Sequence, residues 1–260
     1  GLGFLSMVLY WICDGIILDY TTASMYGRKH FLQSLKVALI GQYYNAVTPF
    51  ASGGQPVQVY YMRKMGIPIG YAGSILTVKF LAYQTVLSLY CIWAMVLKLK
   101  FVLNQYTEIF WLSLIGFLIN AAAVFLIILV IISKNLVISL SVKIISLAHR
   151  FKLLKDPDKA QESAKKHLED FHKSAEFMKH NIWEMIVICV WTALQLTFYF
   201  SITYFIYRAF DLNTASMIDM IAIQSFLYLA VSFFPTPGAS GASEGGFYIF
   251  FSMFFPKSLL

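Results

Sequence analysis

Long apolar stretches alternate with short polar ones along most of the 260-residue chain. The longest charge-free stretch lies between Glu108 and Lys134 and contains 25 residues. As an α helix it would measure about 37 Å, which exceeds the roughly 30 Å hydrocarbon core of a bilayer. The pattern predicts an all-α polytopic membrane protein with about six spanning helices. The predicted spans are residues 1–18, 70–97, 109–133, 182–207, 214–234 and 247–255.

Two of the apolar regions are interrupted by proline and glycine. The first interruption, Asn45–Pro56, lies within residues 31–61, and the second occupies residues 234–247. Proline removes a backbone donor and glycine permits left-handed backbone, so a helix must open at each place. At membrane depth, open backbone is tolerated only inside protein or beside a water-filled cavity. The pattern therefore predicts two re-entrant segments and a possible inverted repeat, with a transporter-like binding site at the interruptions.

Basic residues indicate how the chain is oriented. The clusters Arg28–His30 and Arg63–Lys64 both lie in the cytoplasm if residues 31–61 form a re-entrant hairpin, which is what the positive-inside bias favours. A second hairpin that opens outward would make the two halves an inverted pair. The predicted units are a first transmembrane half over residues 1–150, an amphipathic linker helix over 151–181 and a second transmembrane half over 182–260, with 134–181 cytoplasmic.

Composition supports a membrane protein rather than a nucleic-acid-binding one. The chain is 59% hydrophobic and only 13% charged, and its net charge of +7 comes mostly from connecting segments. We therefore attribute the basic excess to topology and to anionic lipid headgroups, and expect no bound nucleic acid. Cys13, Cys91 and Cys189 lie in apolar segments without metal-ligand spacing, so no disulfide framework or zinc site is expected. Because the chain begins at Gly1 inside a helical pattern, we expect a piece of a longer protein.

Three ionisable residues in apolar segments are candidates for chemistry. Lys79 lies well inside a predicted span, where a charge costs about 2.5–3.5 kcal/mol. Its ammonium either binds a phosphate or carboxylate of a ligand, or forms a structural pair with Asp14 or Glu244. Glu244 itself has three possible roles, which are to bind a cationic headgroup, to relay a proton, or to cap the helix that follows it. Asp14 is the weaker candidate, because near a segment end the cost of a charge is small and a structural role suffices.

Backbone amides in the two interruptions are candidates for anion binding. Successive N–H groups leading into a helix start can form an anion-binding nest. The complete candidate substrate-binding set is Lys79, Glu244, Ser52, Gly53, Gly54, Gln55, Pro49, Pro237, Gly238, Ser240, Gly241 and Asp14. His172, Glu176 and His180 have a spacing that suits a metal, but an ordinary charged helix face explains them better, so we expect neither a metal nor a cofactor. The sequence also lacks the common motifs of soluble enzymes.

The two interruptions together resemble the MprF-like family, the lysylphosphatidylglycerol synthase transmembrane region. Residues Thr48–Gln58, followed by the arm Tyr60–Gly66, resemble the first family block, a proline, small residues, two glycines and then E or Q, P and V. Residues Phe234–Glu244 resemble the second block, P-x-P-G-G-x-G-x-x-E, with Ala239 in place of one glycine. Lys79 matches a basic position in the following span. The likeness covers nearly the whole chain.

The resemblance implies a flippase that moves aminoacylated phosphatidylglycerol between leaflets of a bacterial plasma membrane and so protects against cationic antimicrobial peptides. In that arrangement the phosphate would meet Lys79 and the amides of Ser52 to Gly54, and the amine would meet Glu244. Full-length relatives add a soluble domain that transfers lysine from charged tRNA to phosphatidylglycerol, and stand-alone relatives occur near glycosyltransferases. Two alternatives therefore remain, the membrane part of a phosphatidylglycerol lysyltransferase and a scaffold for an envelope glycosyltransferase. The expected partners are a phospholipid, another copy of the chain, and a separate synthase or glycosyltransferase.

Overall fold

The computed structural model describes residues 1–105, 111, 114–122, 124–125, 177, 180–232, 234–256 and 258–259. The secondary structure of these residues is helical. This confirms the predicted all-α class. Two short 3₁₀ turns, Pro49–Ala51 and Pro237–Ala239, occupy the two interruptions. The α helices that position the site are α1 (Leu2–Tyr26), α2 (Phe31–Val47), α3 (Gly54–Lys64), α4 (Ile69–Gln105), α5 (Ile182–Ala209), α6 (Met217–Val231) and α7 (Ala242–Phe251).

Three of the described helices are long and apolar enough to cross a bilayer, namely α1, α4 over Ile69–Leu97, and α5. Helix α6 has 15 residues and α7 has 10, so as ideal helices they measure about 22 Å and 15 Å, below the roughly 30 Å of a hydrocarbon core. The predicted total of six spans is therefore not confirmed. Most of the predicted span 109–133, and nearly all of the linker 151–181, fall outside the described residues.

The two interruptions are the tips of two helical hairpins. In the first hairpin, a Cβ on Gly54 of α3 would lie 2.7 Å from the Gly41 oxygen of α2, and Gln58 one turn later donates to the Val37 oxygen at 3.4 Å. In the second, a Cβ on Gly246 of α7 would lie 2.5 Å from the side chain of Leu227 in α6. Each pair of arms is thus antiparallel and closely packed. Whether either hairpin re-enters a bilayer stays a prediction.

Helices α1 and α5 pack against each other in opposite directions. Close to one end of the pair, a Cβ on Gly3 would lie 3.9 Å from Ile202, and farther along the helices Asp14 bonds to Gln195. Each of these helices is followed directly by one hairpin, α2–α3 after α1 and α6–α7 after α5. Two similar units that run in opposite directions are the arrangement expected of an inverted repeat.

The start of α2 is fixed by a buried carboxylate that sequence analysis did not single out. Asp19 in α1 accepts from the His30 backbone N–H at 2.8 Å and from the Ser34 hydroxyl at 3.1 Å. The first N–H groups of a helix have no partner within the helix, so a carboxylate there removes one unsatisfied donor and suits the helix dipole. Gly27, with φ 73°, ends α1 in the left-handed conformation and permits the short connection. Asp19 therefore has a structural explanation.

Three apolar clusters hold the described helices together, and the two largest both include residues of α4. Ala72 and Ile75 pack with Leu18 of α1 and Met62 of α3 in one cluster. The other brings together buried side chains from α4, α5, α6 and α7, among them Leu87, Phe200, Phe226 and Phe251. Burying an apolar side chain of this size contributes about 1.5–3 kcal/mol. Helix α4 thus joins the first hairpin to the second.

Candidate substrate site

The tips of the two hairpins share a six-residue sequence pattern. Thr48–Gly53 and Thr236–Gly241 share the pattern T-P-x-A-S-G. In both turns the serine hydroxyl donates to the proline oxygen at 2.8 Å. In both, the two residues after proline have positive φ, 56° and 51° in the first tip and 62° and 54° in the second. The backbone conformation therefore repeats from the threonine to the alanine, and it differs at the serine, where ψ is −17° for Ser52 and 139° for Ser240.

The conformation of each tip follows from its threonine–proline pair. A residue before proline avoids the helical region, and Thr48 and Thr236 accordingly have ψ values of 147° and 150°. Left-handed backbone at a residue other than glycine costs on the order of 1–3 kcal/mol. Phe50 and Ala51 both adopt it in the first tip. Such strain persists only where the surroundings enforce it, and it is common at functional sites.

The two tips contact each other. Gly238 lies against the first hairpin so closely that a Cβ there would be 3.2 Å from the Ala46 oxygen. The first tip has Phe50 at the equivalent position and the second has glycine, which permits the close approach. The two interruptions therefore meet in the fold, and a binding site enclosed by them at membrane depth stays a prediction.

Amides predicted to form an anion nest have partners within the chain in this conformation. The N–H of Ser52 donates to the Pro49 oxygen at 3.2 Å, that of Gly53 to the Thr48 hydroxyl at 2.9 Å, and that of Gly54 to the Asn45 side chain at 3.0 Å. An anion could bind these amides only by displacing those acceptors. Their role in substrate binding stays a prediction.

Glu244 lies in the first turn of α7 and caps the start of that helix. One of its oxygens accepts from the Gly241 N–H at 2.7 Å, which is the third role considered for it in the sequence. Its carboxylate is exposed beside the second tip, so the cap leaves the other oxygen available. Most of the remaining candidates at the tips are also exposed, namely Pro49, Ser52, Gln55, Pro237, Gly238, Ser240 and Gly241.

Lys79 forms an ion pair with Asp14. The Lys79 Nζ lies 2.7 Å from Asp14 Oδ1, and the two side chains are 15% and 4% exposed. Of the two pairings considered in the sequence, the chain adopts the one with Asp14. Opposite charges within a span remove the large cost of an isolated one. Asp14 lies in the middle of α1 (Leu2–Tyr26), away from a segment end.

Two glutamines surround Asp14, and the sequence analysis did not assign them to the site. Gln195 of α5 donates to Asp14 Oδ1 at 3.0 Å, and Gln42 of α2 donates to Asp14 Oδ2 at 3.3 Å. Gln42 also donates to the Tyr10 hydroxyl at 3.0 Å. In the sequence, Gln42 and Gln195 are each visible only as a polar amide side chain inside an apolar segment. Four helices, α1, α2, α4 and α5, thus converge on one carboxylate.

A row of tyrosines extends this polar cluster towards the second hairpin. The Tyr10 and Tyr199 rings have centroids 5.2 Å apart, and Tyr199 and Tyr228 are 5.5 Å apart. The Tyr228 hydroxyl lies 2.8 Å from that of Tyr83 in α4. Because Tyr228 belongs to α6, the row connects the Asp14 region to an arm of the second hairpin. A shift of that arm would therefore disturb the tyrosine packing beside the ion pair.

Comparison with curated proteins gives no match, and comparison with solved structures gives none either. A family model described as the lysylphosphatidylglycerol synthase TM region matches residues 1–260. This match includes both hairpins, both tips and the Asp14–Lys79 pair. The chain therefore belongs to the lysylphosphatidylglycerol synthase transmembrane-region family and is a lipid-related membrane protein.

Proposed function

We propose that this protein is a flippase-like transporter of aminoacylated phosphatidylglycerol, or of a related anionic lipid, in the bacterial plasma membrane. The observation that carries the proposal is the contact between two turns with the same T-P-x-A-S-G pattern at the tips of two hairpins. Broken helices from oppositely oriented repeats, meeting at one place, are typical of transporter binding sites. Family membership supplies the lipid class.

The tips and the ion pair have separate tasks in this proposal. Lys79 binds the lipid phosphate, because it is a basic residue within a span and lies beside Asp14, where α1, α2, α4 and α5 meet. The tips line the path of the headgroup and open alternately to the two leaflets as the hairpins move. The residues proposed to line that path are Ser52, Gly53, Gly54, Gln55, Pro49, Pro237, Gly238, Ser240, Gly241 and Glu244.

The acyl chains remain in lipid during this movement. Apolar side chains are exposed on the long helices, among them Leu89 and Val96 of α4 and Val190 of α5. Such surfaces suit contact with acyl tails, so only the polar headgroup needs the protein interior. Moving a lysyl headgroup to the outer leaflet lowers the negative surface charge and weakens the attraction of cationic peptides. Resistance to such peptides is the expected consequence in the cell.

Proteoliposomes test this proposal directly. The purified chain is reconstituted with fluorescent lysyl-phosphatidylglycerol, and dithionite then bleaches the label in the outer leaflet. Wild type should make the inner-leaflet label accessible faster than empty liposomes do, and Lys79→Ala should slow this. Glu244→Gln tests the second tip, because it removes a charge but keeps an oxygen that can accept from Gly241.

The control for these variants is Gly73→Ala in α4, because a Cβ at that position meets nothing within 4 Å. It should transport like wild type. Equal rates for wild type, Lys79→Ala and Glu244→Gln would reject the assignment of the site. A wild-type rate equal to that of empty liposomes would reject transport itself. Binding of a partner glycosyltransferase without any lipid movement would favour the scaffold.

A second function is favoured by the name of the family, which describes a synthase. Under this alternative, the chain is the membrane part of a phosphatidylglycerol lysyltransferase and presents the lipid acceptor to a soluble domain. The test is synthesis of lysyl-phosphatidylglycerol from lysyl-tRNA in membranes that contain the chain with and without a separate synthase domain. Stimulation of the synthase by the chain, with no translocation in liposomes, would support this alternative.

A further inference from the structure

The carboxylate of Asp14 has an internal cation as its partner. Lys79 Nζ and Gln195 Nε2 both lie within hydrogen-bond distance of Asp14 Oδ1, at 2.7 Å and 3.0 Å. The other oxygen, Oδ2, accepts from Gln42 at 3.3 Å. This carboxylate is therefore held in place by two neutral amides from two helices and is neutralised by one ammonium.

The amide of Gln195 has one group without a partner. Gln195 is 1% exposed, and its Oε1 has no hydrogen-bond partner among the described residues. Leaving a buried acceptor unpaired is unfavourable, so most such groups in proteins are paired. Flipping the Gln195 amide would not solve this, because Oε1 would then face the Asp14 carboxylate, and both groups accept hydrogen bonds. The site therefore has a buried oxygen, beside an anion, that requires a donor.

A primary ammonium meets that requirement. It carries three donors and a positive charge, so one such group can bond to Asp14 and to Gln195 Oε1 together. Asp14 already binds this chemical group, because its present partner is the primary ammonium of Lys79, but that ammonium does not bond to Gln195 Oε1. The lysine side chain is also the more exposed member of the pair, at 15% against 4%, so it can be reached by an incoming ligand.

We propose that Asp14 and Gln195 form the subsite for the primary ammonium of an aminoacyl phospholipid headgroup, and that Lys79 occupies this subsite until the ammonium displaces it. This inference rests on the proposed lipid function and moves the amine from Glu244 to the core of the helices. The displaced Lys79 pairs with the phosphate of the same lipid. One internal ion pair is thus replaced by two ion pairs between protein and lipid, so neither Asp14 nor Lys79 is left without an opposite charge.

The exchange predicts selectivity between lipids. Phosphatidylglycerol without an amine offers a phosphate to Lys79 but leaves Asp14 without a cation. An isolated charge inside a span is unfavourable, so this lipid binds less tightly. A hydrogen bond to a charged group is worth about 1.5–3 kcal/mol, which corresponds to a preference of about 10- to 100-fold for the lipid with an amine.

Lipid binding, measured separately from transport, tests the proposal. Native mass spectrometry of the purified full chain is carried out with three probes. These are lysyl-phosphatidylglycerol, the same lipid with both amines acetylated, and phosphatidylglycerol. Wild type should bind the first about 10- to 100-fold more tightly than the other two. The double variant Asp14→Asn with Lys79→Gln, which leaves no lone charge, should bind all three equally while remaining folded.

Gln195→Met tests the unpaired oxygen, and Gln224→Met is its matched control. Gln224 is also an amide in the helical core, but its Oε1 already accepts from the Thr203 hydroxyl at 2.9 Å. Gln195→Met should reduce the preference for the amine by about tenfold, and Gln224→Met should leave it unchanged. Melting temperatures of both variants show whether each is folded, and a folded Gln195→Met that keeps the full preference overturns the proposal.

The outcomes separate this inference from the proposed function. A wild type that prefers lysyl-phosphatidylglycerol over its acetylated form but moves no lipid in liposomes supports the ammonium subsite and rejects transport. A wild type that moves lipid but binds the three probes equally rejects the ammonium subsite and leaves transport intact. An equal loss of preference in Gln195→Met and Gln224→Met also overturns the subsite.

Discussion

The ion pair between Asp14 and Lys79 gives the strongest prediction for stability. Replacing Lys79 by methionine keeps most of the side-chain length but leaves the carboxylate, which is 4% exposed, without its cation. Removing one partner of a buried pair typically costs 3–5 kcal/mol, so we expect about that loss in the free energy of unfolding. Asp14→Asn should have a similar effect, because it leaves the Lys79 ammonium unpaired.

The double variant Lys79→Met with Asp14→Asn should be more stable than either single variant. Both charges are then absent, and replacing a whole buried pair by neutral groups is often close to neutral. The asparagine oxygen still accepts from Gln195, so one hydrogen bond of the site is kept. The structure therefore predicts strong coupling between the two positions, in contrast to the additivity of independent sites.

Thermal unfolding in detergent, followed by the intrinsic fluorescence of the five tryptophans, measures these effects. For a chain of this size, a loss of about 3–5 kcal/mol corresponds to a fall in Tm of about 6–20 °C. The double variant should recover most of that fall. A double variant with the summed losses of the two single variants would refute the reasoning, because the two charges would then not compensate each other.

Three further predictions concern the tips and the helix starts. Gly238→Ala should lower the free energy of unfolding by about 1–2 kcal/mol, because φ there is 62° and a Cβ would lie 3.2 Å from the Ala46 oxygen. Its control is Gly245→Ala, whose Cβ meets nothing within 4 Å and which should be neutral or stabilising. Equal Tm values for the two variants would contradict the tip geometry. Asp19→Ala should lower stability by about 1–3 kcal/mol and leave the lipid preference unchanged, so a folded variant with altered preference would show that Asp19 contacts lipid. Glu244→Ala should destabilise more than Glu244→Gln, since glutamine keeps an acceptor for the Gly241 N–H; the reverse order of Tm values would argue against the cap.

Several features of the fold follow from local physical rules and were therefore predictable. Apolar length identified α1, α4 and α5, because a helix must be long and apolar to cross a bilayer. Proline and glycine identified both tips, because the residue before proline leaves the helical region. Hydropathy did not separate α6 from a full span, since a 15-residue arm and a span have the same apolar composition. Its length became clear only from its packing in a hairpin.

The charged residues of the candidate site were predictable, but the residues that pair with them were not. A charge inside an apolar segment requires compensation, so Lys79 and Asp14 could be identified, but two partners were possible for the lysine. Gln195 and Gln42 were overlooked because a single amide in an apolar segment has no periodic signal. The repeated T-P-x-A-S-G pattern is visible in the sequence, but only the contact between the tips gives it a structural meaning.

The sequence by itself determined the helical class, the positions of the breaks and the presence of charge inside apolar segments, because these depend on residues close together along the chain. The tertiary structure alone decided that Asp14 pairs with Lys79, that Gln195, 181 positions away, bonds to the same carboxylate, and that the two tips touch. Such choices depend on which helix faces pack together. Packing across four helices is a property of the whole fold, and no local pattern of residues encodes it.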